Sequence, residues 1–198
     1  MKKLLLVVAV LTFTVGSALA QGFQFGAKVG GNFSSILGDV DDAVKGKIGF
    51  NVGATVDYGF NEKMFLFSGL ELTTKGSKVD ADGYKSTANA MYLQLPIHFA
   101  YKIAVGSGSV KLVPEAGLYV AYGIGGKIKV DVDGVDDADY FDDGKQKLDF
   151  GAGAAFGAEF GKIGVKLGYD YGLMNLYDGE GDIKLNNSNV YLSVGYKF

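Results

Sequence analysis

From Met91 to Ile103 every second residue is apolar: Met91, Leu93, Leu95, Ile97, Phe99, Tyr101 and Ile103. Between them stand Tyr92, Gln94, Pro96, His98, Ala100 and Lys102, mostly polar or small. A period of two sends alternate side chains to opposite faces of a strand. The same split recurs in about eight stretches, and the apolar register carries no charge although 21% of the chain is charged.

The other stretches run from Gly22 to Ser34, Lys47 to Phe60, Met64 to about Lys75, Val110 to Ile124, Leu148 to Phe160, Ile163 to Leu173 and Val190 to Phe198. Asn61-Glu62-Lys63, Val105-Gly106-Ser107-Gly108 and Gly161-Lys162 read as tight turns, with the glycines that hairpins require. Connections of about two to four residues thus follow the second, fourth and sixth strands, while those after the odd strands run to about 12–20. This alternation predicts an all-β, eight-stranded, antiparallel, up-and-down barrel with both termini on the short-turn side.

Alternation alone does not say which face is inside, because a soluble carrier barrel would bury its apolar side. Three features favour a transmembrane β-barrel. The apolar register lacks charge throughout. The opposite register is rich in glycine, including Gly26, Gly30, Gly53, Gly117, Gly151, Gly153 and Gly168, which suits a narrow lumen rather than a wet surface. Aromatic residues collect near strand ends, as at Phe23, Tyr58, Phe60, Tyr101, Phe160 and Tyr196, where interfacial girdles form.

Residues 1–20 have the form of a secretory signal peptide: Lys2 and Lys3, an apolar stretch from Leu4 to Val15, then Ala18-Leu19-Ala20. The barrel domain is expected to occupy residues 21–198. All 19 basic residues are Lys, against 22 acidic ones, and loss of Lys2 and Lys3 widens the acidic excess. Such a chain has no basic face for nucleic acid. The absence of cysteine removes disulfides, thiolate metal sites and cysteine nucleophiles.

The inward register holds charges of both signs: Lys28, Lys102, Lys111, Lys166 and Lys197 against Asp57, Glu71, Glu115, Asp149, Glu159 and Asp170, with the sole histidine, His98. These are expected to pair and plug the lumen; a narrow ion or small-solute pore is the alternative. No Ser/His/acid set is visible around His98, so an enzyme, such as a lipid-modifying one, is the less favoured reading, and no cofactor is expected. The segment from Gly126 to Lys147 is acidic. Asp131, Asp133, Asp136 and Asp137 offer oxygen ligands suited to Ca²⁺, yet Asp131-Val132-Asp133-Gly134 lacks the spacing of an EF-hand. The expectation is a solvated acidic loop, which could present a surface for an extracellular ligand.

The chain resembles the PorT-like family of outer-membrane β-barrel proteins, within the class of small OmpA- and OmpX-type barrels. The resemblance rests on Phe25-Gly26-Ala27-Lys28-Val29-Gly30-Gly31-Asn32-Phe33-Ser34 and Tyr92-Leu93-Gln94-Leu95-Pro96-Ile97. Gly151-Ala152-Gly153, Glu159-Phe160-Gly161, Tyr169-Asp170-Tyr171-Gly172-Leu173 and Tyr196-Lys197-Phe198 extend it. It implies a Gram-negative outer-membrane location, contact with outer-membrane lipid and lipopolysaccharide, and no shared reaction. The final aromatic residue is similar to the signal read by barrel-insertion machinery. A monomer is expected, acting as a non-enzymatic scaffold.

Overall fold

The computed structural model describes residues 22–39, 43–81, 84–106, 109–131, 136–141, 146–176 and 184–198. The signal-peptide reading of residues 1–20 lies outside them. The strands are β1 (Phe23–Gly38), β2 (Val44–Gly59), β3 (Met64–Ala81), β4 (Tyr84–Tyr101), β5 (Ile103–Val105), β6 (Val110–Val130), β7 (Ala138–Asp139), β8 (Leu148–Phe160), β9 (Ile163–Gly172) and β10 (Leu185–Lys197). β5 continues β4 past Lys102, and β7 is a two-residue piece lying off the main path. The remaining strands pair antiparallel with their neighbours, and β1 pairs with β10 from Gly26↔Lys197 to Gly38↔Leu185. β4 pairs with β6, so the sheet closes into an eight-strand ring with no free edge among the described residues.

Burial is inverted relative to a water-soluble protein. Lys28, Asn32, Asn51, Glu71, His98, Asp149 and Asp170 are buried, whereas Ile48 is 81% exposed and Leu192 55%. Outward positions such as Val29, Val52, Leu70, Ile97, Leu118, Phe156, Leu167 and Val194 are likewise exposed. An apolar, uncharged surface of this kind fits hydrocarbon, and closure satisfies the backbone where no water can.

At one end lie Gly22, Phe198 and the Asn61–Lys63 and Gly161–Lys162 turns; this is called the turn end. Gly161 takes a φ of 62° there, a left-handed conformation that glycine adopts without strain. Aromatic rings encircle this end: Phe23 and Tyr58 at 4.8 Å, Tyr58 and Phe60 at 5.2 Å, Phe60 and Phe99 at 5.6 Å.

The opposite, loop end differs from the expectation of four long loops. β3 and β4 stay paired up to Ala81↔Tyr84, leaving only residues 82–83 between them. β1 reaches Gly38 and β2 begins at Val44, leaving residues 39–43. The apolar alternation stops earlier because it records contact with lipid. Beyond the membrane no lipid dictates the outward residue, and Gly76-Ser77-Lys78-Val79-Asp80 shows no period while still pairing.

Two sites interrupt the ladders, and side chains repair both. Pro96 has no N–H to donate, and the β3–β4 register is unpaired between Ser68↔Ile97 and Glu71↔Gln94. There the Ser68 hydroxyl donates to the Pro96 carbonyl at 2.8 Å. The β2–β3 register shifts between Gly46 and Asn51. Across that bulge the Asn32 amide donates to Phe50 O at 3.1 Å and Thr74 O at 3.2 Å, and Phe50 N donates to Thr74 Oγ1 at 2.9 Å.

The inward glycines make room for large neighbours. A Cβ on Gly168 would collide with the Tyr191 ring, and one on Gly151 with the Tyr119 ring. Gly168→Val is expected to lower unfolding stability by about 1–3 kcal/mol through overpacking, measured by urea titration of the detergent-folded protein with the unheated gel shift as readout.

Candidate functional site

The lumen is packed in layers, each assembled from strands far apart in sequence. Nearest the turn end, Lys197 of β10 bridges Asp57 of β2 and Glu159 of β8, the latter at 2.6 Å. Lys102, between β4 and β5, joins them at 3.3 Å from Glu159 and 3.9 Å from Asp57. The chain therefore closes β10 onto the ring with charge as well as with backbone hydrogen bonds.

In the middle layer Glu115 of β6 accepts from Lys166 Nζ at 2.6 Å and sits 3.1 Å from His98 Nδ1. Lys28 meets Glu71 at 2.6 Å. Both Lys166 and Lys28 lie over the Phe67 ring, at 3.5 and 5.9 Å, so the ring shields cations that the carboxylates neutralise. Asp170 accepts from Gln94 Nε2 at 3.1 Å. Between this layer and the turn-end layer is a cavity of about 70 Å³, bounded also by Thr55, Phe65, Val113 and Ser193. It has room for a few waters and for no larger solute.

Toward the loop end, Asp149 Oδ2 accepts from Lys75 Nζ at 3.1 Å, Tyr119 OH at 3.1 Å and Asn187 Nδ2 at 2.9 Å. Lys75 Nζ also lies 4.1 Å from the Tyr119 ring centroid. Above them Ala90, Tyr92, Tyr119, Ala121 and Tyr140 form a buried apolar cluster, with Phe141 against it. Tyr92 and Phe141 meet edge-on at 5.6 Å, and Phe141 packs on Tyr140 at 4.9 Å.

That cluster corrects the expectation of a wholly solvated acidic loop. β7 pairs with β6 through Lys127↔Asp139 and Ile128↔Ala138, and Tyr140 N donates to Gly126 O at 3.0 Å. Tyr140 ends up 4% exposed. Burial, followed by the Asp149 charge, pushes its hydroxyl pKa up to about 12. Two aromatic side chains among many aspartates gain more from leaving water than the short segment loses in freedom.

Of the residues expected to line the lumen, Lys28, Asp57, Glu71, His98, Lys102, Glu115, Asp149, Glu159, Lys166, Asp170 and Lys197 lie in these layers. Lys111 does not. It is opposite Glu159 in the β6–β8 register but exposed, with no ion pair among the described residues; so close to the turn, water outcompetes the lumen for its ammonium. Lys75 is the member that sequence reasoning passed over. The register of Glu71 and Thr73, continued by two, would have found it. Asp133 lies outside the described residues. Asp131, Asp136 and Asp137 are not gathered into a metal-sized cluster: among the described residues no group of three or more acidic or histidine side chains is. Asp137 instead faces Lys129 at 4.0 Å.

A charge buried in such a layer is costly once its partner is gone. Glu115→Gln is expected to cost about 3–5 kcal/mol by leaving Lys166 and His98 without their anion, whereas Lys162→Gln at the exposed turn changes stability by less than about 0.5 kcal/mol; parallel urea titrations compare them.

Comparison with known proteins agrees with this architecture. Neisserial surface protein A is similar in structure at 14% identity, over 88% of this chain and 97% of that one, with a TM-score of 0.50. A major outer membrane protein from Thermus thermophilus is similar at 13% identity, over 89% and 99%, with a TM-score of 0.51. At these identities the likeness is one of fold. No curated protein matches the chain. The family model described as outer membrane protein beta-barrel domain matches residues 19–178. An inverted, closed eight-strand barrel whose sequence matches that model over most of its length belongs to the outer membrane protein beta-barrel domain family.

Proposed function

We propose that this protein is a non-enzymatic outer-membrane scaffold: a sealed cylinder that holds its loop end outside the cell. The observation that carries this reading is the lumen itself. Paired charges and tyrosines fill it from the Lys197 layer to the Tyr140 cap, and the cavity between the charged layers is about 70 Å³. His98 is 1% exposed and held against Glu115, a poor position for a base that must reach a substrate. In this reading residues 1–20 direct export, the insertion machinery reads the terminal Phe198, and the monomer stands in lipid with both termini in the periplasm. The acidic loop segments then face the surroundings, where an extracellular ligand would meet them. The finer PorT-like assignment belongs to the same proposal.

The chain contains no cysteine, so single cysteines report topology cleanly. Asp136→Cys is expected to react with a membrane-impermeant maleimide on intact cells, and Lys162→Cys only after the outer membrane is opened. The reverse pattern would overturn the orientation.

Purified protein in a planar bilayer is expected to be electrically silent. Discrete, reproducible conductance steps would replace the scaffold with a pore. His98→Ala is expected to leave the envelope lipid profile unchanged; an altered profile would favour a lipid-modifying enzyme.

A further inference from the structure

The lumen layers leave one carboxylate without a cation. Lys28 belongs to Glu71 and Lys166 to Glu115, each at 2.6 Å, while Lys102 and Lys197 share Asp57 and Glu159. Lys75 belongs to Asp149 at 3.1 Å. These pairings use all the lysines of the layers, and Asp170 remains. It is 3% exposed, forms no ion pair among the described residues, and takes its hydrogen bond from Gln94 Nε2 at 3.1 Å. The other buried lysine, Lys47, donates to Asn89 Oδ1 at 2.6 Å in the groove lined by Ile48, Thr87 and Lys129, and so does not serve Asp170. An unpaired anion at this depth is strongly destabilising.

The groups around Asp170 are short of donors. Gln94 spends its amide nitrogen on Asp170 and leaves Oε1 of the same amide buried without a partner. Asn189 stands directly opposite Asp170 in the β9–β10 register, where inward side chains are neighbours, and its Oδ1 is also without a partner. On the other side of Asp170 the register brings Gly153, then Gly117, then His98. The two glycines leave a gap over which imidazole and carboxylate approach each other. A Cβ on Gly153 would stand 2.5 Å from Asp170 Oδ1 and 3.1 Å from His98 Nε2, so those two atoms are no farther apart than the sum of these distances. No hydrogen bond joins them, and His98 Nε2 has no partner. His98 Nδ1 faces Glu115 at 3.1 Å, and a neutral ring that donates there presents an acceptor at Nε2.

The unpartnered atoms beside Asp170 are thus two amide oxygens and an imidazole nitrogen, all acceptors. A water molecule offers such a set two protons and no charge. A cation satisfies every acceptor at once and supplies the missing charge.

We propose that the lumen binds a monovalent cation, sodium, at Asp170, with Gln94 Oε1 and Asn189 Oδ1 as neutral oxygen ligands and His98 Nε2 at the edge of the site. Carboxylate and amide oxygens favour hard cations over soft ones. A single charge balances the layers, whereas a divalent ion leaves an excess. Because packed layers lie on both sides, the ion enters as the ring closes and ties β4, β9 and β10 together across the lumen.

The test is urea titration of protein refolded in detergent in sodium chloride or in N-methyl-D-glucamine chloride at matched ionic strength, with the unheated gel shift as readout. Wild type is expected to unfold at higher urea in sodium, its folding constant rising about tenfold for each tenfold rise in sodium above the dissociation constant. Asp170→Asn, which keeps the shape of the side chain, is expected to lose that dependence. Glu71→Gln, which removes a carboxylate that has its own lysine, is expected to be less stable and yet to keep it. Sodium NMR relaxation of the wild type reads the bound ion directly, whether or not the variants fold. Identical titrations in the two salts, or no bound sodium, would overturn the site and leave a proton as the missing charge. A sodium dependence that survives in Asp170→Asn would overturn its assignment to Asp170. Stabilisation by zinc chloride and not by sodium would overturn the choice of a monovalent ion.

Discussion

The backbone pairing of β1 with β10 is the contact on which the molecule depends. It runs from Gly26↔Lys197 to Gly38↔Leu185 and joins the two ends of the sheet. Without it, two strands would present unpaired N–H and C=O groups to hydrocarbon, each costing several kcal/mol. Everything else follows from that closure. A closed ring of this size has a lumen too narrow for open solvent, so its inward side chains must fill it and satisfy one another. Its outer face must then be free of charge, and its one hydroxyl in mid-strand on β3, that of Ser68, is satisfied by the Pro96 carbonyl.

Closure also explains why the lumen is polar rather than a second oily core. Were both faces apolar, a strand could slip by one residue and lose nothing. A charged inward register makes that slip prohibitive, because it would place Lys28, Glu71 or Glu115 in lipid. The layers reinforce this choice. Lys197, near the end of the last strand, meets Asp57 and Glu159 only when β10 lies in register beside β1 and β9, so the ion pairs check the closure that the backbone makes. Glycines complete the packing: Tyr119 and Tyr191 fit because Gly151 and Gly168 present no Cβ where the rings lie.

The two ends of the cylinder solve different problems. The turn end is anchored by interlocked rings from Phe23 to Phe99. The loop end lifts a ribbon of β2, β3, β4 and β6 beyond the apolar belt and folds Tyr140 and Phe141 back over the mouth.

The period-two pattern was enough to locate the membrane-spanning parts of all the ring strands, since lipid imposes an apolar choice at every second position and forbids charge. It reproduced β8 from Leu148 to Phe160 and placed most of the inward charges on the correct face. It could not follow β3 to Ala81 or β4 back to Tyr84, because a ribbon beyond the lipid is held to no strict apolar alternation. Nor could it pair Glu115 with both His98 and Lys166, join Lys75 to Asp149, or bring Tyr140 into the mouth. A strand's own pattern says which face a residue takes, but the height at which it meets a residue several strands away depends on the stagger around the closed ring. Sequence alone determined the barrel and its inside and outside; the tertiary structure decided the partners, because only closure sets that stagger.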